Sequence, residues 1–312
     1  MGDNLAKTIA FDGIVRLTDW ALLRAHGADT AAFLQSQLTQ DVVALQTGEA
    51  RLSGYCTAKG RLLATFIVWR MRADEFGLLC SADLAASVRK RLSMYVLRAR
   101  CRVDDASGEW SVFGLAGAAA QRLADGAQPW SARQQGTQWF IGLPAVEQVP
   151  RWLLVQPAGA QVPALPALDA QAWGLLEVKS GVPRVTAATA EQFVPQMINF
   201  ELVGGVHFQK GCYPGQEVVA RSQYRGTVKR RMHLFATNGS ALPGQEVFHS
   251  DDPAQPAGRV VNAVGVAGSA SRLLAEVKLT ALDSGSLHLG SADGPLLQRM
   301  PLPYPIADVA HV

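Results

Sequence analysis

The sequence predicts an α+β fold that ends in a β-rich unit. Helical and strand patterns are mixed through the first two thirds of the chain, and nothing requires the strands to be parallel. From Thr227 onward, short β-like runs follow one another with turn residues between them, as in a small barrel or sandwich. With 48% hydrophobic residues among 312, the chain also has enough apolar surface for a sizeable core.

The elements follow in order. Gly27-Ala28-Asp29 reads as a turn and helix N-cap, and Ala32, Phe33, Leu34 and Leu38 supply the helix's apolar face. Leu62–Met71 is rich in Ile, Val, Phe and Trp and reads as a buried strand. Ser81 or Asp83 is a candidate cap for a second helix, with Leu84, Val88 and Leu92 spaced four apart on one side. Val96–Val103 alternates and reads as a strand with Arg98, Arg100 and Arg102 on one face. Gly114 to Gly117 reads as a strand-to-helix turn. The stretches 126–138 and 156–168 are rich in turn residues and read as loops. Asp169–Ser180 is helical, stopped by Gly181-Val182-Pro183. Strands are expected at Met232–Thr237, Gln245–His249, Gly258–Val264, Arg272–Leu279 and Ser286–Leu289.

Composition removes several classes of function. Net charge is only +3, so the chain is not generally disordered. Four cysteines are too sparse for a disulfide scaffold, which points to a reducing compartment. No apolar run reaches the ~20 residues of a membrane span. The first residues lack a signal peptide's apolar core, so the expected location is the cytoplasm. Nucleotide-loop and nucleophile-elbow motifs are missing.

The basic character is local. Residues 201–231 hold six cations (Lys210, Arg221, Arg225, Lys229, Arg230, Arg231) against two anions (Glu201, Glu217). Such an excess suits an anionic partner, although a solvated loop explains it equally well. No Cys-x-x-Cys pair and no histidine pair occurs at ligand spacing, so no stably bound metal is expected. Cys56, Cys80 and Cys101 sit in or near apolar segments and read as core residues. Cys212 lies in a turn with Gly211, Pro214 and Gly215, near Lys210, Arg221 and Arg225. Neighbouring cations favour a thiolate, so Cys212 is the candidate reactive thiol.

The stretch Gly204–Arg221 contains Lys210-Gly211-Cys212-Tyr213-Pro214-Gly215-Gln216-Glu217. It closely resembles the signature of the YgfZ family of folate-binding proteins: lysine-glycine-cysteine-aromatic-x-glycine-glutamine-glutamate. Further similar segments are Gly27–Val42, Ala58–Arg61, Gly181–Pro183, Pro195–Asn199 and Tyr224–Arg230.

The resemblance implies the fold of the glycine-cleavage T-protein. That fold is a folate-binding α+β body of two interleaved subdomains, here 1–228, followed by a C-terminal β-barrel, here 229–312. It implies tetrahydrofolate in a central channel, iron–sulfur client or assembly proteins as partners, and an indirect influence on tRNA modification. Cys212 matches the family's functional cysteine and would at most ligate a cluster transiently. Lys210, Gly211, Tyr213, Gly215, Gln216, Glu217, Arg221, Arg225, Arg98 and Arg100 are the expected folate-site residues, with the arginines as docking charges for the glutamyl tail. Glu217 is also placed to pair with Arg221 at a spacing of four.

Two other functions stay open. A folate-dependent aminomethyltransferase needs acids near the folate. Ala64-Thr65 and Lys179 or Ser180 stand where the T-protein pattern has them. A direct RNA-binding role has Lys229-Arg230-Arg231 in its favour but no interleaved aromatics.

Overall fold

The computed structural model describes residues 10–125, 128–224, 228–266 and 268–306. Strands β1 (Gly13–Arg16) and β2 (Trp20–His26) lead into helix α1 (Thr30–Gln37). An antiparallel meander follows, of β3 (Ala50–Cys56), β4 (Leu62–Arg72) and β5 (Glu75–Ser81). Next come α2 (Ala85–Val96), β6 (Arg102–Asp105), β7 (Trp110–Ala116) and α3 (Gly117–Ala124). Strands β8 (Ala132–Gln135), β9 (Gln138–Val146) and β10 (Val149–Pro157) precede α4 (Ala170–Lys179) and α5 (Gln216–Tyr224). The C-terminal strands are β11 (Arg230–Thr237), β12 (Glu246–His249), β13 (Asp252–Gly265), β14 (Ser271–Lys278), β15 (Leu287–Leu289) and β16 (Gln298–Met300).

Three sheets result, with orders β3-β4-β5-β2-β6, β1-β7-β10-β9-β8 and β15-β12-β13-β14-β11-β16. The chain starts in the second sheet, builds the first, and returns at β7, so the two subdomains interleave. Trp69 of β4 and Trp139 of β9 meet at 6.3 Å between ring centroids and help join the first two sheets. The third sheet curls into a half-barrel, in keeping with the barrel-like C-terminal unit expected from the sequence. Its two faces divide by strand alternation. Met232, Leu234, Val261 and Leu274 pack into the main core. Phe235, Val260, Leu273 and Val277 fill the inside of the curl.

That sheet is fixed to the body by polar contacts as well. Arg231 and Glu201 form an ion pair whose side chains are 2% and 4% exposed. The Asn199 side-chain amide donates to the Met232 carbonyl (2.7 Å). Asn262 exchanges two hydrogen bonds with the Arg184 backbone.

Three expectations are corrected. Val96–Val103 is not a strand. Val96 continues the Val88, Leu92 face and ends α2, then Leu97 turns the chain at φ 46°, and pairing begins only at Arg102. The arginine ladder therefore does not form. The expected cap of α2 is not made either: a 3-10 turn (Ala82–Leu84) intervenes, and the Asp83 carboxylate accepts from the Ala187 N–H. Within 126–138, the segment expected to be a loop, β8 pairs with β9. Its sequence, Ala-Arg-Gln-Gln, carries too little apolar alternation to announce a strand.

Candidate functional site

The cysteine turn is built on the β3–β4 connection. Gly215 adopts φ +79°, and a Cβ there would lie 2.6 Å from the Gly60 nitrogen. Only glycine allows this close seating. Tyr213 is buried beneath the loop, with the Lys210 ammonium 5.1 Å from its ring centroid. Lys210 is buried too, and its ammonium donates to the carbonyls of Gln35 and Leu38 (2.5 Å to Leu38). These carbonyls lie at the C-terminal end of α1, where helix geometry leaves acceptors open. Burial pulls the Lys210 pKa down to about 8. Lys210 is thus a latch between the signature loop and α1, not a ligand group on a cavity wall.

Gly211 and Cys212 are exposed at the crest of this loop. The other thiols differ. Cys56 and Cys80 are buried, which pushes each pKa up to about 12, and the half-buried Cys101 is also shifted up by burial. Gln216, Glu217 and Arg221 lie on α5. No ion pair links Glu217 to Arg221 among the described residues, and Arg225 lies outside the described residues. Arg98 and Arg100 sit in the turn after α2. Arg100 is held by Asp29 through its backbone N–H (2.8 Å) and its guanidinium (3.2 Å), which keeps the Asp29 carboxyl below the usual range.

A cavity lies elsewhere, away from this loop. It has a volume of about 400 Å³ and lies between all three sheets and α4. That size is in the range of small-molecule sites. None of the residues singled out from the sequence as site residues lines it. Helix α4 presents Ala170, Trp173, Gly174, Glu177 and Val178 to the space, the stripe of one helical face. Asp169 caps that helix by accepting from the Gln171 N–H (2.6 Å). Gly114 of β7 lets Trp173 lie against the sheet, since a Cβ there would fall 2.5 Å from the indole.

Three tryptophans, Trp20, Trp130 and Trp173, form the aromatic walls. The Trp173 indole N–H is buried without a hydrogen-bond partner among the described residues. The Trp20 N–H is turned toward Glu177 but stops short of hydrogen-bond geometry. Trp130 has φ +61°, rare for a bulky residue, and is held by the bonds Trp130 N–H to Gly142 O (2.9 Å) and Ala50 N–H to Trp130 O (2.8 Å). With Leu52 it separates the cavity from a second depression beside Glu49 and Gly204.

Glu177 is the polar centre. Burial raises its pKa, opposed by Arg184 and Arg151 and assisted by Asp19. Both arginines are already engaged. Arg184 pairs with Asp19 and stacks over Trp20 at 4.6 Å. Arg151 donates to the Pro144 carbonyl (3.0 Å) and stacks on Trp173 at 5.7 Å. The carboxylate therefore faces the cavity with acceptor capacity to spare. Lys179, at a position expected to be acidic, is absent from the wall and bonds Glu147 (2.7 Å). Two of the other such positions, Thr65 and Ser180, do line the wall, and Thr65 accepts from the Val185 N–H (3.0 Å).

Sequence reasoning missed these residues because the sheets that assemble them are far apart in the chain. The one local signal was Trp173 and Glu177 four apart on a helix whose Ala172, Leu175, Leu176 and Val178 are buried.

Comparison with known proteins follows the same division. Residues 13–142 match the GCVT N-terminal domain. The tRNA-modifying protein YgfZ of Photorhabdus laumondii is 32% identical over 74% of this chain and 72% of its own length. That of Edwardsiella ictaluri is 30% identical over 74% and 72%, and that of Sodalis glossinidius 29% over 95% and 94%. The fold is similar to glycine cleavage system aminomethyltransferase T from Bartonella henselae, with a TM-score of 0.71 and 14% identity, covering 94% of this chain and 85% of that one.

Proposed function

The chain belongs to the YgfZ family, and on that footing we propose that it is a tetrahydrofolate-binding accessory factor for iron–sulfur enzymes, with tRNA modification depending on it indirectly. The observation that carries the reading is the tryptophan-walled cavity with Glu177 at its centre. A reduced pterin has a planar pyrimidinone ring whose amide and amino N–H groups form a donor edge. A carboxylate accepts such an edge in bidentate fashion, while indole faces cover the ring. The buried Trp173 N–H is a donor for a ring acceptor. Volume, aromatic walls and the spare acceptor all suit the group. Bound tetrahydrofolate would supply one-carbon or reducing chemistry. The protein's own part is to orient the ring, shield it from water and present the Glu177 carboxyl to it.

Cys212 is assigned the thiol role. It is exposed, on a loop fixed by Lys210 and Gly215, while Cys56 and Cys80 are sealed in the core. Among the described residues no group of three or more His, Cys, Asp or Glu is placed to hold a metal. A lone thiolate needs further ligands from a client protein to hold a cluster even briefly. The expected setting is cytoplasmic, and no described helix is long and apolar enough to cross a membrane. Direct RNA binding is not part of the proposal.

A strain lacking the gene, complemented with wild type, Cys212→Ala or Glu177→Gln, tests the reading. Wild type is expected to restore iron–sulfur enzyme activity under oxidative stress, and both variants to fail. Full rescue by Cys212→Ala removes the thiol role. Full rescue by Glu177→Gln removes the cavity from the function.

A one-carbon transferase is the second reading, favoured by Glu177, which returns an acid to the cavity that the aligned positions lack. Turnover of tetrahydrofolate to a methylene adduct with an aminomethyl donor would support it over the accessory role.

A further inference from the structure

Three cations line the cavity: Arg16, Arg151 and Arg184. The last two are committed, Arg151 to the Pro144 carbonyl and Arg184 to Asp19. Arg16 is exposed, and no hydrogen bond or ion pair ties its side chain to a described residue.

Its place in the fold is fixed by β1. Ile14 bridges to Ala167 in parallel, and its carbonyl accepts from the Leu168 N–H (2.8 Å). Two residues on, Arg16 therefore lies opposite Asp169, the N-cap of α4, one position before Ala170. Glu177 is seven residues beyond Ala170 along that helix, about 10 Å at 1.5 Å per residue. The cavity thus has a recognition end, with Glu177 and Trp20, and a cationic end at Arg16, with Trp173 between them.

We propose that Arg16 anchors the carboxylate tail of the ligand, so that the cavity selects folates that carry glutamate over the bare pteroate ring system. This rests on the folate reading above. A ligand with its donor edge on Glu177 and its rings along Trp173 extends toward Ala170. The guanidinium of Arg16 meets a glutamyl carboxylate there with a planar fork of donors.

The test is an equilibrium titration of the full chain with tetrahydrofolate and with tetrahydropteroate, which has the same rings and no glutamate, at low and at 0.5 M salt (about a 4 Å screening length). Wild type is expected to bind tetrahydrofolate roughly tenfold tighter, with the preference shrinking at high salt. Arg16→Ala and Arg16→Gln are each expected to abolish the preference while tetrahydropteroate affinity stays the same. Equal wild-type affinity for the two ligands overturns the assignment, as does a preference that survives both substitutions. Absence of binding by either ligand removes the folate reading, and this inference with it.

Discussion

Glu177→Gln is expected to stabilise the empty protein and to weaken its ligand binding, a combination that a purely structural glutamate would not give. The wild-type carboxylate is withdrawn from water, and its nearest cations are held by Asp19 and by Pro144. An ionised group left with an incomplete set of partners costs about 1–3 kcal/mol, and a neutral amide of the same shape avoids most of this. At no more than about 2–4 °C per kcal/mol for a chain of this size, the melting temperature at pH 7.5 should rise by a few degrees.

The pH dependence has a fixed sign. Burial raises the folded pKa of Glu177 above its ordinary value of 4.5. Below that ordinary value both states are protonated and the two proteins melt alike. As pH rises through the folded value, the wild type loses stability that the amide variant keeps. Thermal melts at pH 4 and 7.5 read this difference directly. A variant that melts lower than wild type at pH 7.5, or whose advantage is the same at both pH values, would rule out a strained, desolvated carboxyl at Glu177. In the presence of tetrahydrofolate the order should reverse, because a charge-assisted bond of about 1.5–3 kcal/mol is missing from the complex.

Three further outcomes are expected. Arg231→Ala strands the Glu201 carboxylate where body and C-terminal sheet meet and should cost about 3–5 kcal/mol in denaturant unfolding, whereas Arg231→Met with Glu201→Leu should recover most of it. Gly215→Ala forces a Cβ against Gly60 at φ +79° and should cost about 1–3 kcal/mol. The same change should alter the labelling rate of Cys212. In the native protein one thiol should react rapidly with a disulfide reagent, and Cys212→Ser should abolish that phase, since Cys56 and Cys80 are buried with pKa values near 12. A rapid phase that persists would place the reactive thiol elsewhere.

Local signals in the sequence are enough where one interaction decides the conformation. The run Leu62–Met71 forms β4, Asp169 caps α4, and Gly211 to Gly215 make a surface turn around Cys212. They mislead where two periodicities overlap. Val96 to Val103 alternates, but Val88, Leu92 and Val96 share a helical face, and that longer pattern wins as far as Leu97. Lys210 reads as a free charge in the sequence, yet its ammonium is consumed by helix carbonyls. That pairing joins residues more than 170 positions apart and leaves no trace in local spacing. The cavity is hidden for the same reason. Trp20, Trp130, Trp173 and Glu177 come from three separate parts of the chain, and only the interleaving of the sheets brings them to one space.

On the proposed function, this space is the folate site. Three of the seven tryptophans line it, so intrinsic fluorescence during titration with tetrahydrofolate tests it most directly. Saturable quenching by a single class of site is expected, strongly weakened in Glu177→Gln although that variant melts higher. Quenching that never saturates, or a binding curve that Glu177→Gln leaves unchanged, would contradict it.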